Sequence, residues 1–171
     1  MIIDLASVGR TPKPIGLAFE PDDIDLDEGT RLTDKAVFAG EISRDGTKTH
    51  VRGRIETKVE TDCVRCLEPV AKDIDIEFED IFIDATEEPT DDEIELGKDE
   101  LDESLITDDE IDMAEVVREQ LILATTETVF CKEDCKGLCP KCGGNRNLID
   151  CKCEEKTQDP RWAALRDVNR K

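Results

Sequence analysis

The sequence has no tyrosine, one tryptophan and one histidine, and aromatics make up only 4% of its residues. With hydrophobics at 37% and charged residues at 39%, it offers less apolar volume than a domain of this length usually buries. One modest core is expected, helped by some other source of order. His50 falls on the polar side of an alternating run, where a surface role is expected, and a lone histidine is a poor start for a catalytic triad. Glycine patterns of phosphate or dinucleotide sites are also missing. No stretch approaches the roughly 18 to 20 apolar residues of a membrane span. The start, MIIDLASVGRTPKP, lacks the basic residues and apolar run of a secretory signal. These absences lead us to expect a soluble, cytoplasmic protein with no membrane partner, in a reducing compartment where structural disulfides are rare.

Positive charge is scarce as well, with 23 Lys and Arg against 44 Asp and Glu, for a net charge of −21. From Glu127 onward the balance is +2, which leaves −23 for residues 1–126. Asp73 to Glu115 holds twenty-one acids and a single base, Lys98. A surface of that sign repels a phosphate backbone over most of its area, so basic partners are the natural ones for this part of the chain. The same acids also serve as a solvated face.

The pattern predicts an α+β fold. A strand is expected at Ile15 to Phe19, then a polar connection, then VFAGEIS leading to a tight turn at Asp45-Gly46. Val51, Ile55, Thr57, Val59 and Thr61 then alternate with charged residues, and after Cys63 to Pro69 the alternation resumes through Ile74, Ile76, Phe78 and Phe82. This predicts an antiparallel β-sheet with one wet face. Residues 87–104 read as an acidic mobile loop. Thr107 to Glu110 reads as a capping box. Ile111, Ala114, Val117, Leu121 and Ala124 predict an amphipathic helix covering the sheet's apolar face. Asp159-Pro160 opens a predicted short terminal helix, Arg161 to Asn169. The expected division is an acidic body at 1–126 and a cysteine-rich module with the terminal helix at 127–171.

Thiols are what the sequence has in abundance. Cys131, Cys135, Cys139, Cys142, Cys151 and Cys153 crowd the tail, and Cys63 and Cys66 form DCVRCLEP between the two longest predicted strands. CPKCGG places two thiolates on a tight turn whose glycines let backbone amides face sulfur, and zinc closes tetrahedral four-cysteine sites of this kind. All eight are therefore candidate ligands for structural Zn2+. One partition joins Cys139 and Cys142 with Cys151 and Cys153, and joins Cys63 and Cys66 with Cys131 and Cys135, for two zinc ions. A single ribbon built from both CxxC turns, and the downstream site alone, are the other options. Three rivals have weaker support. Cys135, Cys139 and Cys142 have radical S-adenosylmethionine spacing in a chain too short for the usual barrel. Iron–sulfur ligation rests on cysteine count alone. A CxxC redox motif belongs at the start of a helix, not between strands.

TDCVRCLEPV, IDMAEVVREQLILA, CKEDCKGLCPKCGGNRNLIDCKC and DPRWAALRDV, in that order, resemble the YceD family, named for large ribosomal RNA subunit accumulation. The resemblance implies a non-enzymatic factor in ribosome biogenesis, needed for accumulation of large-subunit (23S) rRNA. On that basis the acidic body is expected to meet a basic ribosomal protein or rRNA-processing factor. Lys132, Lys136, Lys141, Arg146 and Lys152 of the tail are the candidates for contact with pre-ribosomal RNA, or else simply offset the charge of a thiolate-rich site. The alternative from another class is a cytosolic thiol redox or metal-sensing protein.

Overall fold

The organising element is a long antiparallel ribbon. In a computed structural model, which describes residues 1–26, 29–84, 103–106, 108–125 and 128–153, β5 (Lys48–Asp62) and β6 (Pro69–Asp84) pair without a bulge from Lys48↔Ile83 to Asp62↔Pro69. The period of two explains the ribbon: Thr49, Val51, Ile55, Thr57, Val59 and Thr61 are buried, while Arg52, Arg54, Glu56 and Lys58 are exposed. On the other side of β5 lie β4 (Ala36–Asp45), paired with its first half, and β3 (Thr30–Leu32), paired directly with β5 at Val59 to Thr61. A two-residue loop joins β4 to β5, and Gly46 supplies the φ of 66° that its first position demands. β2 (Lys13–Phe19) pairs with β4, covering the predicted Ile15 to Phe19 strand.

β7 (Glu103–Ile106) joins β6 in parallel, giving the order β2-β4-β5-β6-β7. This corrects the sequence expectation twice: the sheet has a parallel ladder, and Glu103 and Ser104 belong to a strand, not to the acidic loop. Residues 87–102 of that loop, Thr107, and the expected terminal helix at 161–169 lie outside the described residues. A second, small sheet pairs β1 (Ile2–Asp4) with β8 (Glu110–Asp112).

The helix, α1 (Met113–Thr125), begins two residues later than its apolar stripe predicts. Pairing with β1 takes Glu110, Ile111 and Asp112 into a strand, and Asp108 and Asp109 stand at φ 64° and 57°, which no helix can pass through. The expected capping box is therefore replaced by Asp112, whose Oδ1 accepts from the Ala114 N–H at 3.0 Å and from the N-terminal ammonium at 2.8 Å. Met113, Val116, Val117 and Leu121 bury one side of α1 in a core shared with Leu5, Phe38, Ile42, Val51, Ile55, Val59, Ile74 and Phe82. The architecture is a sheet-dominated α+β fold. Among the described residues, no helix is long and apolar enough to cross a membrane.

Phe38 is fully buried and packs at 5.8 Å between ring centroids from Phe78. It lies over a glycine pair, Gly40↔Gly53. A Cβ on Gly53 would come within 2.5 Å of the Phe38 ring and 2.7 Å of the Ala39 carbonyl oxygen. Gly53→Ala is expected to destabilise by about 2 kcal/mol or more, since ring and backbone must both give way; a urea midpoint measures it.

Asp80 sits on the inner side of β6 opposite buried Val51, with Gln120 Nε2 donating to both carboxylate oxygens at 3.1 and 3.0 Å. Burial raises its pKa above the ordinary carboxylate value, and the Gln120 bond only partly opposes that. The folded state thus holds the proton more tightly than the unfolded state, so ionised Asp80 costs stability above its raised pKa and the cost is relieved as pH falls through it. Asp80→Asn is expected to be more stable than the parent at pH 7, with the advantage shrinking towards pH of about 4, near the unfolded value. Urea midpoints across that range check both sign and window.

Candidate metal centres

The eight cysteines are free thiols gathered into two quartets. Cys63, Cys66, Cys131 and Cys135 form one, and Cys139, Cys142, Cys151 and Cys153 the other; within each, all four sulfurs lie within 4.8 Å of one another. These are the two quartets of the first partition considered from the sequence.

The first quartet is built on the end of the β5–β6 ribbon. A tight connection, with Cys63 N–H donating to Glu68 and Leu67 N–H to Cys63, turns both sulfurs the same way, at the cost of a left-handed Leu67 with φ 59°. The tail then crosses this connection. Val64 N–H donates to Val129, and the Arg65 guanidinium stacks 4.3 Å from the centre of the Phe130 ring. Arg65 Nη1 also donates to the carbonyls of Glu133 and Cys135, at 3.3 and 3.1 Å. Cys63 Sγ lies 3.8 Å from Cys135 Sγ and Cys66 Sγ 3.5 Å from Cys131 Sγ. A tetrahedron of sulfurs about zinc has edges of about 3.8 Å, whereas a disulfide brings sulfur to about 2.05 Å. Three of the four sulfurs belong to buried residues, and only Cys131 is exposed.

The second quartet is local. Cys139 N–H donates to Gly144 and Gly143 N–H to Cys139, closing the CPKCGG turn with Gly143 at φ 70°. Cys151 and Cys153 return to it after a turn at Asn145 to Ile149. The two quartets are joined by hydrogen bonds. Leu138 N–H donates to Arg65, and Gly137, at φ 66°, passes so close that a Cβ there would sit 2.9 Å from the Arg65 carbonyl oxygen. Asn145 Nδ2 donates to Glu68 Oε1 at 3.0 Å, and Asn147 Nδ2 to Cys135 Sγ at 3.3 Å, while Asn147 Oδ1 accepts from Lys136 N–H at 3.0 Å.

The thiols are pulled in opposite directions. Burial works to raise Cys63, but backbone N–H groups of Cys131, Arg65 and Cys66 outweigh it and bring the thiol down to about 6. Backbone N–H groups of Cys142 and Lys141 bring Cys139 down to about 6 as well. Burial, with the neighbouring sulfurs, pushes Cys131 up to about 12, and Cys142 with burial does the same to Cys153. In the first quartet Cys63 and Cys135 are drawn down while Cys66 and Cys131 are pushed up, and in the second Cys139 is drawn down while Cys151 and Cys153 are pushed up, so neither set ionises freely. A divalent cation removes that resistance, so the donor set fits a closed four-thiolate metal site.

Lys132, Lys136, Lys141, Arg146 and Lys152 are all exposed around these centres. His50 is half-buried on the ribbon, with Nδ1 3.6 Å from Glu79. Arg65, Glu68, Asn145 and Asn147 escaped sequence reasoning. For Arg65 the signal was its place inside the CVRC turn; for the asparagines there was none beyond polar residues within a cysteine module.

The family model described as "Large ribosomal RNA subunit accumulation protein YceD" matches residues 51–169. The chain belongs to the YceD family. The match takes in β5 from Val51 onward, β6, α1 and both quartets. An uncharacterized protein of Mycobacterium tuberculosis is 27% identical to this YceD-family chain over 186 residues, spanning 96% of it and 79% of the relative. The protein of Arabidopsis thaliana named "Large ribosomal RNA subunit accumulation protein YCED homolog 1, chloroplastic" is 27% identical over 175 residues, 88% of this chain and 52% of the relative. Its namesake in Zea mays is 27% identical over 140 residues, 67% and 47% of the two chains. No solved structure matches.

Asn147 is a partner to a candidate ligand, and such partners typically tune metal affinity by 10- to 100-fold. In zinc-loaded protein, Asn147→Leu is expected to release one of two ions to a chelator about tenfold faster and leave the other unchanged. Stopped-flow release to a coloured chelator reads both phases.

Proposed function

We propose that this chain is a non-enzymatic, zinc-binding factor of ribosome biogenesis that acts in the cytoplasm and supports accumulation of large-subunit (23S) rRNA. The observation that carries this reading is the double quartet in a chain of the YceD family: all eight thiols are gathered into two sets with the spacing of structural metal sites. Thiols committed to closed four-ligand sets are ligands first, which favours zinc and a structural role over redox exchange. The names of the plant relatives supply the ribosomal context. Charge supplies the division of labour. The acidic body suits a basic ribosomal protein or processing factor, and the exposed Lys132, Lys136, Lys141, Arg146 and Lys152 suit contact with pre-ribosomal RNA.

The test is recovery of the tagged full chain from growing cells, with metal, protein and RNA identified. Two zinc ions per chain and co-sedimentation with large-subunit precursors, weakening as salt rises, are expected. Reversible disulfides without metal would establish the redox reading instead, and absence of every ribosomal component at low salt would overturn the proposal. Because structural zinc contributes apparent binding free energy on the order of 10 kcal/mol, chelation is further expected to lower the melting temperature of the purified protein, as read by circular dichroism.

A further inference from the structure

β6 has a long open edge. β7 covers it only at Ile81 to Asp84, and among the described residues nothing pairs with the backbone of Asp73 to Asp80 on the side away from β5. Open edges of this length are usually blunted by a proline, a bulge or a covering segment. Among the described residues this one has none of them: the β5–β6 register is unbroken, and the strand's proline, Pro69, stands at its start. The 85–102 segment that follows carries nine acids against Lys98, the same sign of charge as the edge itself.

Charge on the outer face follows a rule across the strands. Glu41 on β4 stands opposite Arg52 on β5, which stands opposite Glu79 on β6. Arg54 stands opposite Glu77, and Lys58 opposite Asp73. Arg52 pairs with Glu41, Arg54 reaches Asp75, and Lys58 Nζ lies 3.6 Å from Asp73. Sign alternates along these rows and stops on an acidic strand, with one exception: Glu56 on β5 stands opposite Asp75, and Arg54 answers both acids from the neighbouring row. Among the described residues, the exposed side chains of Asp73, Asp75, Glu77 and Glu79 have a basic residue of β5 opposite or diagonal to them and none beyond the edge.

We propose that this edge is a docking strand for an extended, basic segment of a protein partner. The segment adds to β6 by main-chain hydrogen bonds along Asp73 to Asp80, with Lys or Arg at every second position continuing the alternation. A second copy of β6 is excluded, because it would set acid against acid. The inference rests on the proposed ribosomal reading for the partner being a basic protein, but its test does not involve ribosomes, so the two can fail separately.

The test uses the zinc-loaded full chain and a synthetic peptide of about eight residues alternating lysine and valine. Amide hydrogen exchange is followed residue by residue. Every second amide within Asp73 to Asp80 is expected to slow by about tenfold or more at saturating peptide. A peptide of the same sequence, N-methylated on every residue so that it lacks donors along both edges, is expected not to bind. The double variant Glu77→Gln, Glu79→Gln, which sets no like charges opposite Arg54 and Arg52, should bind about tenfold more weakly or worse while staying folded by circular dichroism. Unchanged exchange in Asp73 to Asp80, equal binding of the N-methylated peptide, equal binding of a glutamate–valine peptide, or undiminished binding by the double variant would each overturn the proposal.

Discussion

Bringing four sulfurs together at the end of a β-ribbon is the constraint on which the rest of this molecule depends. Two unit charges about 4 Å apart repel by roughly 4 kcal/mol in a medium of effective dielectric 20, so a quartet cannot ionise freely. The opposed shifts of Cys63 and Cys131 are that conflict made visible. A scaffold can hold such a set only if its elements are rigid without it. The fifteen-residue β5 and the strand that pairs with it along its whole length meet that need. A shorter or bulged ribbon would let the CVRC turn drift, and the tail would have nothing fixed to close upon.

The tail is held to that turn more closely than four sulfurs alone require. Arg65 touches Phe130 through its guanidinium face, the carbonyls of Glu133 and Cys135 through its N–H groups, and Leu138 through its own carbonyl. One residue thus spans the approach to the first quartet with its side chain and the entry to the second with its backbone. Asn147 closes the circuit from the other side by donating to Cys135. The quartets share a hydrogen-bonded wall, yet they stay distinct as donor sets.

What could be read from the sequence was whatever local periodicity decides. The β5 and β6 alternation was legible because one face is buried and the period is two, and the CVRC turn because it interrupts that alternation. Both quartets were among the partitions that cysteine spacing allowed. The start of α1 was not legible: Thr107 to Glu110 has the composition of a cap, but β1 claims Glu110 to Asp112 through pairing that no local signal announces. Three-residue strands such as β1, β3 and β8 exist because a partner is present, not because of propensity. The parallel entry of β7 is of the same kind. Asn147 was invisible because its value lies in reaching a sulfur twelve residues away.

The pairing of β1 with β8 also sets a clock. The first residue of the chain meets Asp112 across a separation of 111 positions, and a ribosome adds about 5 to 20 residues per second. The amino terminus therefore waits several seconds, after the β4–β5 hairpin has had time to form, before its partner emerges. The first quartet waits longer still, for Cys135. The β4–β5 hairpin can thus form early, and β1 is tied to the body only once β8 has been made.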